Sequence, residues 1–526
     1  MTIEASGAAR DTTAAAQEPR FARDALFAAP LLATAFHLAT AGRWGFFRDE
    51  LYYLANADHL AFGYVEHPPL IGWLTALFRA ILGDSLVAVR VLPALCAGGT
   101  IAFAVAIAAE LGGRRRAQWL AATLVFLMPH FVGTFGFLSM NATDNLLWAA
   151  ALWLFVRLLR TGDERLWLPF GALAGVGLLN KISVLFLGFG VAVGLLVTRR
   201  WRSFRSPWLW LGGALAGLLA SPYAVWLWRN DWPLLEFMAN ARAEKNVDFT
   251  ILGYLGAQVM QVLGPTLVLA ALLGLGFLLA GRRARSFRAA GWCFVAILAL
   301  MLGMTGAKPY YLAPVYTMLL AAGAVAFDGW CERRRRGSWW FALPVALVVA
   351  SGVLVMPIAK PLLDVETFLR YQDALGLRPG SSERSAQGLL SQHFADRFGW
   401  QELAEEVAEV HRGLPADERA ETCVFAQNYG QAGAIDRFGP ALGLPPAISG
   451  HNSYFLWGPR ECGENGVLIV IGGSRESLEE WFEHVELAAI FQCRFCMPFE
   501  AEKPIWVGRG PRISLREAWP EVKRYI

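Results

Sequence analysis

The chain has 526 residues, of which 56% are hydrophobic and 17% charged, with a formal net charge of +4 and a mean hydropathy of +0.40. So many long apolar stretches cannot be packed into one soluble globule. The composition is that of a polytopic α-helical membrane protein, and no nucleic-acid partner is expected.

The N-terminal residues 1–21 are rich in Ala and Thr and predict a disordered cytoplasmic tail. Residues 22–357 form the predicted transmembrane domain. Runs of the roughly 20 apolar residues that a bilayer requires recur along it and predict about eleven spans. Three of these runs are short enough to tilt, re-enter or merge. The predicted spans are 24–42, 87–109, 117–136, 145–160, 166–180, 182–198, 207–228, 254–280, 289–306, 311–329 and 339–357.

Arginine clusters determine the predicted orientation. Cytoplasmic loops carry an excess of Lys and Arg, and with these spans every cluster falls on one side of the membrane. The N-terminus is therefore predicted inside, and an odd number of spans places the C-terminal segment outside. The clusters are Arg20 and Arg23, 114–116, Arg157/Arg160/Arg165, Arg199/Arg200/Arg202/Arg205, Arg282/Arg283/Arg285/Arg288 and 333–336.

The first outer loop, residues 43–86, carries adjacent carboxylates, Asp49 and Glu50, directly after the first span. Glu66 and His67 follow in the same loop. Two acidic residues at a membrane exit require a chemical reason, so this loop is the first place to look for a site. For Glu66 and His67 a second interpretation stays open, because the two prolines that follow could simply end an interfacial helix.

Further polar residues are predicted on the same outer face. Asp144 lies at the outer end of the third span, Lys181 lies in a tight outer turn, and Lys308 lies just outside the ninth span beside Tyr310 and Tyr311. Isolated lysines oppose the charge bias of outer loops. A lysine beside aromatic rings at the lipid boundary is suited to bind a lipid phosphate, although each one alone also fits a snorkelling side chain.

A carboxylate that faces several cations suits one kind of reaction. A lipid phosphate leaves as a stable anion and needs only electrostatic stabilisation, whereas an incoming hydroxyl or amine must lose a proton to a general base. Because nucleotide donors are absent outside the cytoplasm, the pattern favours transfer of a sugar from a lipid phosphate.

Residues 358–526 contain frequent charges and no further spanning run, which predicts a soluble α/β domain on the outer face. Helical periods occur at 399–410 and 474–485, and strand patterns at 422–427, 466–471 and 504–507. Four of the cysteines lie in this domain and permit three pairings. The pair at 493 and 496 could be a redox pair, half of a metal site or a structural bridge, of which the bridge is favoured. The four are Cys423, Cys462, Cys493 and Cys496.

Several of these segments together resemble bacterial glycosyltransferase family 39, the GT-C membrane transferases related to protein O-mannosyltransferases and to the lipid A aminoarabinose transferase. The resemblance runs from about residue 40 to the C-terminus. The matching segments are 48–53, 63–70, the region of Asp144, 179–183, 222–232, 308–314, 428–435 and 449–459.

The resemblance implies a GT-C fold and an inverting glycosyltransferase. The donor would be a polyprenyl-phosphate sugar and the acceptor a lipid A or lipopolysaccharide, another envelope glycan, or a protein, at the outer face of the bacterial inner membrane. Asp49 would be the catalytic carboxylate, and Glu50 would either position it or share a divalent cation with it.

The resemblance also implies roles for the remaining residues. Lys181 and Lys308, with Tyr310 and Tyr311, would bind the donor phosphate. The accessory or acceptor positions would be Glu66, His67 and Asp144, and Glu66 stands where many relatives have Asp.

Two other function classes are compatible with parts of the chain. A transporter or lipid-linked sugar flippase would place its ionisable residues near mid-membrane and often has two related halves, and neither pattern is visible. A non-enzymatic protein that binds cell-wall glycans would explain the outer domain but not Asp49 and Glu50.

Overall fold

The computed structural model describes residues 19–334, 338–380, 383–460 and 466–526. Nearly all of the predicted tail, together with Arg335, Arg336 and Cys462, lies outside the described residues.

The N-terminal two-thirds of the chain is helical. Helix bounds follow the apolar runs, and several helices begin at Pro, whose missing N–H costs nothing at the first helical position. The helices are α1 (Arg23–Ala39), α2 (Arg48–Asp58), α3 (Leu70–Leu82), α4 (Leu86–Val89), α5 (Val91–Glu110), α6 (Arg115–Phe126), α7 (Pro129–Thr134), α8 (Met140–Thr161), α9 (Trp167–Leu178), α10 (Val184–Val197), α11 (Trp201–Arg205), α12 (Pro207–Arg229), α13 (Pro233–Asn240), α14 (Ile251–Ala257), α15 (Pro265–Ala280), α16 (Arg288–Gly303), α17 (Tyr316–Arg333) and α18 (Ser338–Ala359).

Every run predicted as a span coincides with one helix or with consecutive helices. Among the described residues, six helical segments are long and apolar enough to cross a membrane. A seventh results if Ile251–Leu263 and Pro265–Ala280, which meet at 105°, form one broken span. The total of about eleven therefore stays a prediction based on length and hydropathy. The six are Leu86–Glu110, Met140–Thr161, Pro207–Arg229, Arg282–Gly303, Pro309–Arg333 and Ser338–Ala359.

The core of this domain lies around α5, α8 and α17, most of whose residues are buried. In contrast, α12 and α18 are also largely apolar, but few of their residues are buried. Apolar side chains that protein leaves accessible are what lipid contact requires. The buried central helices therefore support the outer loop, and the exposed ones form the lipid boundary.

The C-terminal part is a small α/β domain whose helices surround a mixed sheet. Its elements are α19 (Val365–Ala374), α20 (Gln392–Ala395), α21 (Trp400–Gly413), α22 (Ala416–Glu421), β1 (Cys423–Ala426), α23 (Tyr429–Leu442), β2 (Ala447–Ile448), α24 (Ser453–Trp457), β3 (Leu468–Ile471), α25 (Arg475–Glu479), β4 (Phe482–Gln492), α26 (Pro498–Ala501), β5 (Glu502–Pro511) and α27 (Leu515–Ala518).

The strand order in this sheet is β2-β1-β3-β5-β4. The first three strands are parallel, and β5 is antiparallel to both of its neighbours. Buried side chains of α21 and α23 pack on one face of the sheet, including Leu403, Val407 and Ile435. Since β1 leads directly into α23, the carboxyl end of β1 points the first turn of that helix toward the membrane domain.

The helix predicted over 474–485 is wrong in its second half. Only Arg475–Glu479 is helical, and the chain from Phe482 onward is strand β4. The apolar residues Phe482 and Val485 fit a helical period as well as a strand. Pairing with β5, a long-range contact, decides for the strand.

Cys493 and Cys496 form a disulfide, which agrees with the structural bridge favoured from the sequence. Cys423 is also in a disulfide. The three cysteines of the membrane domain, Cys96, Cys293 and Cys331, are buried.

The orientation predicted from the arginine clusters leads to a topology experiment. A reporter fused after Ile526 is expected to be active only outside the cytoplasm, and one fused after Arg336 only inside, because cationic loops stay on the cytoplasmic side. Alkaline phosphatase and a fluorescent protein provide the two readouts. A cytoplasmic Ile526 would contradict the assignment of spans and would move the site to the other face.

Candidate active site

Helix α2 carries both acidic residues of the first outer loop, and its geometry separates them. Consecutive residues on a helix do not face each other. Glu50 turns back to its own N-terminus, where its Oε2 accepts a hydrogen bond from the Phe47 backbone N–H at 2.8 Å. Asp49 turns toward the outer domain.

Glu50 is fully buried and forms an ion pair with buried Arg90. Arg90 donates through Nε to Oε1 at 3.0 Å and through Nη2 to Oε2 at 2.8 Å. The Leu138 N–H donates to Oε1 at 2.8 Å. Burial alone would raise the pKa of Glu50, but Arg90 outweighs burial and the pKa lies below its usual range.

These contacts occupy both Glu50 oxygens, so the structure favours the positioning role over a shared cation. Within the described part of the chain, no group of three or more His, Cys, Asp or Glu side chains is arranged to hold a metal ion. Glu50 and Arg90 instead fasten α2 to the start of α5 and to the segment before α8.

Asp49 is the exposed member of the pair, with 35% of its side chain accessible. The Tyr429 hydroxyl donates to its Oδ1 at 2.9 Å, and the Arg48 Nε lies 3.9 Å from the same oxygen. Tyr429 is the first residue of α23. A carboxylate from the membrane domain is therefore oriented by a side chain of the outer domain.

Arg48 joins the two domains beside this carboxylate. Its Nη2 lies 3.7 Å from the buried Asp396 Oδ2, and its guanidinium lies 5.2 Å from the centre of the Tyr429 ring. Its backbone N–H donates to the Asp396 carbonyl at 2.9 Å. These contacts hold the N-terminus of α2 against the outer domain.

Two glycines explain how α23 comes so close to α2. A Cβ on Gly430 would lie 2.5 Å from the Cγ of Arg48, and one on Gly433 would lie 3.0 Å from the backbone carbon of Leu51. Larger side chains at these positions would push the helices apart. The segment 428–435, which carried part of the family resemblance, is thus a packing surface that delivers Tyr429 to Asp49.

The two lysines predicted to bind phosphate have different surroundings. Lys181 donates through Nζ to the Asn141 Oδ1 at 2.6 Å, and its ammonium lies 4.9 Å and 5.1 Å from the ring centres of Tyr310 and Tyr311. Lys308 donates to the Glu383 Oε1 at 2.7 Å. Burial lowers the pKa of Lys308, but the Glu383 carboxylate more than compensates, so the pKa is raised.

A third lysine belongs to the same group. The Lys245 Nζ lies 3.9 Å from the Glu383 Oε1. Lys245, Glu383 and Arg48 line a cleft of about 440 Å³ between the outer loops and the carboxyl end of β1. Tyr429 lines it as well, so the cleft opens beside the oriented carboxylate of Asp49. Its lining carries more cationic than acidic side chains.

Glu66 lies close to this group and is half-buried. The Tyr52 hydroxyl donates to its Oε2 at 3.1 Å, and the ring of Tyr52 stacks on Tyr429 with centroids 4.6 Å apart. The structure therefore brings Glu66 to the neighbourhood of Asp49, and its accessory role stays a prediction.

The surroundings of Glu66 predict a pH-dependent stability. Burial raises the pKa of its carboxyl from 4.5 to about 7. Between about pH 4.5 and 7 the folded protein therefore keeps the Glu66 proton that the unfolded chain loses. Because of this difference, the free energy of unfolding falls as the pH rises through that window. Glu66→Gln can still accept the Tyr52 hydrogen bond. We expect its Tm to exceed that of the wild type at about pH 8 and to match it at about pH 4.5.

Thermal unfolding in lipid nanodiscs at both pH values measures this effect. Glu366→Gln, a change at a carboxylate that is 58% exposed, is the control and should shift Tm equally at the two pH values. A Tm difference for Glu66→Gln that does not depend on pH would contradict the assignment.

His67 and Asp144 are engaged in internal contacts. The Nδ1 of His67 lies 2.8 Å from the Pro68 carbonyl and must donate to it, so Nε2 accepts from the Asn56 amide at 3.0 Å. Asp144 accepts hydrogen bonds from the Ser183 hydroxyl at 2.9 Å. His67 thus closes the first outer loop, and Asp144 braces the turn that presents Lys181.

Sequence reasoning missed several members of the site. It placed Tyr429 in a segment that carries the family resemblance, but it gave no role to Tyr429, Lys245, Glu383 or Arg90. An isolated lysine in an outer loop was a usable signal for Lys245. For Glu383 no local signal exists, because its partners lie far away in the sequence.

Comparisons with known proteins agree with this architecture. Residues 66–226 match the family model of the dolichyl-phosphate-mannose-protein mannosyltransferases. None of the curated proteins matches the sequence. The matched segment includes Glu66, Asp144 and Lys181 but ends before Lys245 and begins after Asp49.

Among solved structures, ArnT from Cupriavidus metallidurans bound to undecaprenyl phosphate is similar, with a TM-score of 0.58 at 15% identity, covering 92% of this chain and 97% of that one. Its apo state gives a TM-score of 0.57 at 16% identity and the same coverage. The match to the Archaeoglobus fulgidus oligosaccharyltransferase tethered to an acceptor peptide has a TM-score of 0.45 at 14% identity. It covers 81% of this chain and 64% of that one.

The fold is that of the GT-C glycosyltransferases, so the resemblance predicted from the sequence is confirmed. The chain is a mostly helical, GT-C-like protein with a small C-terminal sheet. It is related to glycosyltransferases of this class.

Proposed function

We propose that the chain is an inverting glycosyltransferase. It would move a sugar from a polyprenyl-phosphate donor to an envelope acceptor, which is a lipid A or lipopolysaccharide, another glycan or a protein. The reaction would occur at the outer face of the bacterial inner membrane, with the N-terminus in the cytoplasm and the C-terminal domain outside. The similar ArnT structure carries undecaprenyl phosphate, which supports this class of donor.

The observation that carries the proposal is the position of Asp49. It is a partly exposed carboxylate, held by Tyr429, at the edge of a cleft lined by Arg48 and Lys245 and close to the Lys308–Glu383 pair. This arrangement combines a proton acceptor with several cations, and in this proposal Asp49 is the general base.

The transfer would proceed in one displacement. Asp49 accepts the proton of the acceptor hydroxyl or amine, the freed electron pair attacks the anomeric carbon, and the bond from that carbon to the phosphate oxygen breaks. Polyprenyl phosphate leaves as an anion. Lys181 and Lys308 would stabilise its negative charge, which makes a general acid unnecessary.

A transporter or flippase has less support. The carboxylates and lysines of the site lie at helix ends and in loops of one face, whereas transport sites lie near the bilayer midplane. Nothing in the geometry of Asp49 and Tyr429 would be required by transport.

The test is direct. Purified protein in lipid is incubated with a panel of polyprenyl-phosphate sugars and envelope acceptors, and mass spectrometry detects released polyprenyl phosphate. Release that depends on the acceptor is the expected result. No release with any donor, by protein that is folded, would contradict the proposal.

The two predicted lysines should control use of the donor. Loss of one charge-assisted phosphate contact costs on the order of 1.5–3 kcal/mol, a factor of roughly ten to a hundred. We expect Lys181→Ala and Lys308→Ala each to raise the KM for donor by that factor while the protein still inserts and folds. Steady-state kinetics with varied donor provides the measurement. Lys523→Ala, which breaks an exposed pair with Glu236, is the control and should leave KM unchanged. An unchanged KM in both site variants would contradict phosphate binding and favour the alternative that these lysines are snorkelling side chains.

A further inference from the structure

A carboxylate from the outer domain lies between the lysines of the site. The Glu383 Oε1 accepts from the Lys308 Nζ at 2.7 Å and lies 3.9 Å from the Lys245 Nζ, and its Oε2 accepts from the Gln392 amide at 3.0 Å. Its side chain is only 16% exposed. Glu383 is thus the anion that balances the lysine pair in this structure.

The backbone around Glu383 is fastened to the outer loop that carries Lys245. Glu383 pairs with Asn246 in an isolated β-bridge, and the Arg384 N–H donates to the Lys245 carbonyl at 2.8 Å. The Arg384 side chain also donates to the Ala243 carbonyl at 2.7 Å. The segment can therefore stay attached through its backbone while the Glu383 side chain changes rotamer.

The contacts of Glu383 are those that a phosphate group would make. Carboxylates and phosphates are both recognised by lysine through charge-assisted hydrogen bonds. Two such anions cannot share the same ammonium donors without strong repulsion. A phosphate that reaches Lys308 must therefore replace the Glu383 carboxylate or lie where only part of the lysine charge is available.

We propose that Glu383 is a displaceable carboxylate that holds Lys245 and Lys308 in the donor-free protein, and that the donor phosphate takes its place on both lysines. The inference rests on the proposed function. It makes Lys245 a third phosphate-binding residue and Glu383 a residue that determines anion affinity. Donor binding then exchanges one anion for another as the hydrogen-bond partner of the two ammonium groups.

Binding of polyprenyl phosphate to purified full-length protein in nanodiscs tests this exchange. Glu383→Gln keeps the shape but removes the competing charge, so we expect its Kd for polyprenyl phosphate to be about ten-fold lower than that of the wild type. Lys245→Gln is expected to raise the Kd by a similar factor. Glu236→Gln is the matched control, because it breaks another Glu–Lys pair between an outer loop and the outer domain, and its Kd should equal that of the wild type.

The outcomes separate the two proposals. If Glu383→Gln binds polyprenyl phosphate no more tightly than the wild type does, the inference is overturned while the donor class stands. The same holds if Glu236→Gln gains as much affinity as Glu383→Gln. If neither wild type nor Glu383→Gln binds polyprenyl phosphate, the proposed donor is wrong and the inference fails with it. Should Glu383→Gln not fold, Lys245→Gln decides, because a purely structural Glu383–Lys245 pair would leave its Kd unchanged.

Discussion

Asp49→Asn is expected to lower turnover by about 100-fold or more, in line with general-base contributions of 10²–10⁴. The amide keeps the shape of the carboxylate and can still accept the Tyr429 hydrogen bond, but it cannot take a proton from the acceptor. Because the phosphate-binding lysines are untouched, donor binding should be largely retained. Single-turnover rates at saturating donor, together with the Kd for polyprenyl phosphate, separate the two effects.

Asp58→Asn is the control for this prediction. Asp58 lies at the other end of α2, is 57% exposed, and pairs with Arg79. Its removal should leave turnover near the wild-type value. Near-normal turnover in well-folded Asp49→Asn would contradict the assignment, and the search for the base would move to Glu66 and Asp144.

Arg90→Met is expected to have the largest effect on stability. It would leave the buried Glu50 carboxylate without its ion-pair partner, and removing one partner of a buried ion pair costs about 3–5 kcal/mol. The side chain also donates to the carbonyls of Ala41 and Gly45. Thermal unfolding in nanodiscs should show a markedly lower Tm, and activity should fall with it because α2 carries Asp49.

Arg115→Met provides the comparison, since it breaks an ion pair with Asp24 in which the arginine is 71% exposed. Exposed pairs contribute about 0–1 kcal/mol, so its Tm should change little. If Arg90→Met unfolded at the wild-type temperature, the buried Arg90–Glu50 pair would not be what holds α2 in place. The burial of the Glu50 carboxylate would then need another explanation.

The membrane domain could be predicted because hydropathy is a local property. A helix in lipid satisfies its backbone hydrogen bonds within itself, so an apolar run of sufficient length specifies its own structure. Each predicted span therefore coincides with one helix or with consecutive helices. The span predicted at 254–280 coincides with the broken pair Ile251–Leu263 and Pro265–Ala280. Hydropathy could not show that α5, α8 and α17 are enclosed by protein while α12 and α18 are not.

The outer domain was harder to predict. Strands β1, β3 and part of β5 were indicated by short apolar runs, but β2 and β4 were not. A strand is stabilised by its neighbours, and the order β2-β1-β3-β5-β4 joins segments that are far apart in the chain. The second half of the helix predicted at 474–485 is wrong for the same reason, because strand β4 depends on its pairing with β5.

By itself the sequence determined the class of protein, and it predicts the face of the membrane on which polar chemistry gathers, since that prediction follows from the local distribution of charge and hydropathy. The family resemblance assigned different roles to Asp49 and its neighbour Glu50, but only the tertiary structure gave a physical reason, because burial and the partner Arg90 decide which of two adjacent carboxylates is exposed. The same holds for Tyr429 and Glu383, which reach the site from the outer domain through contacts that no local pattern encodes.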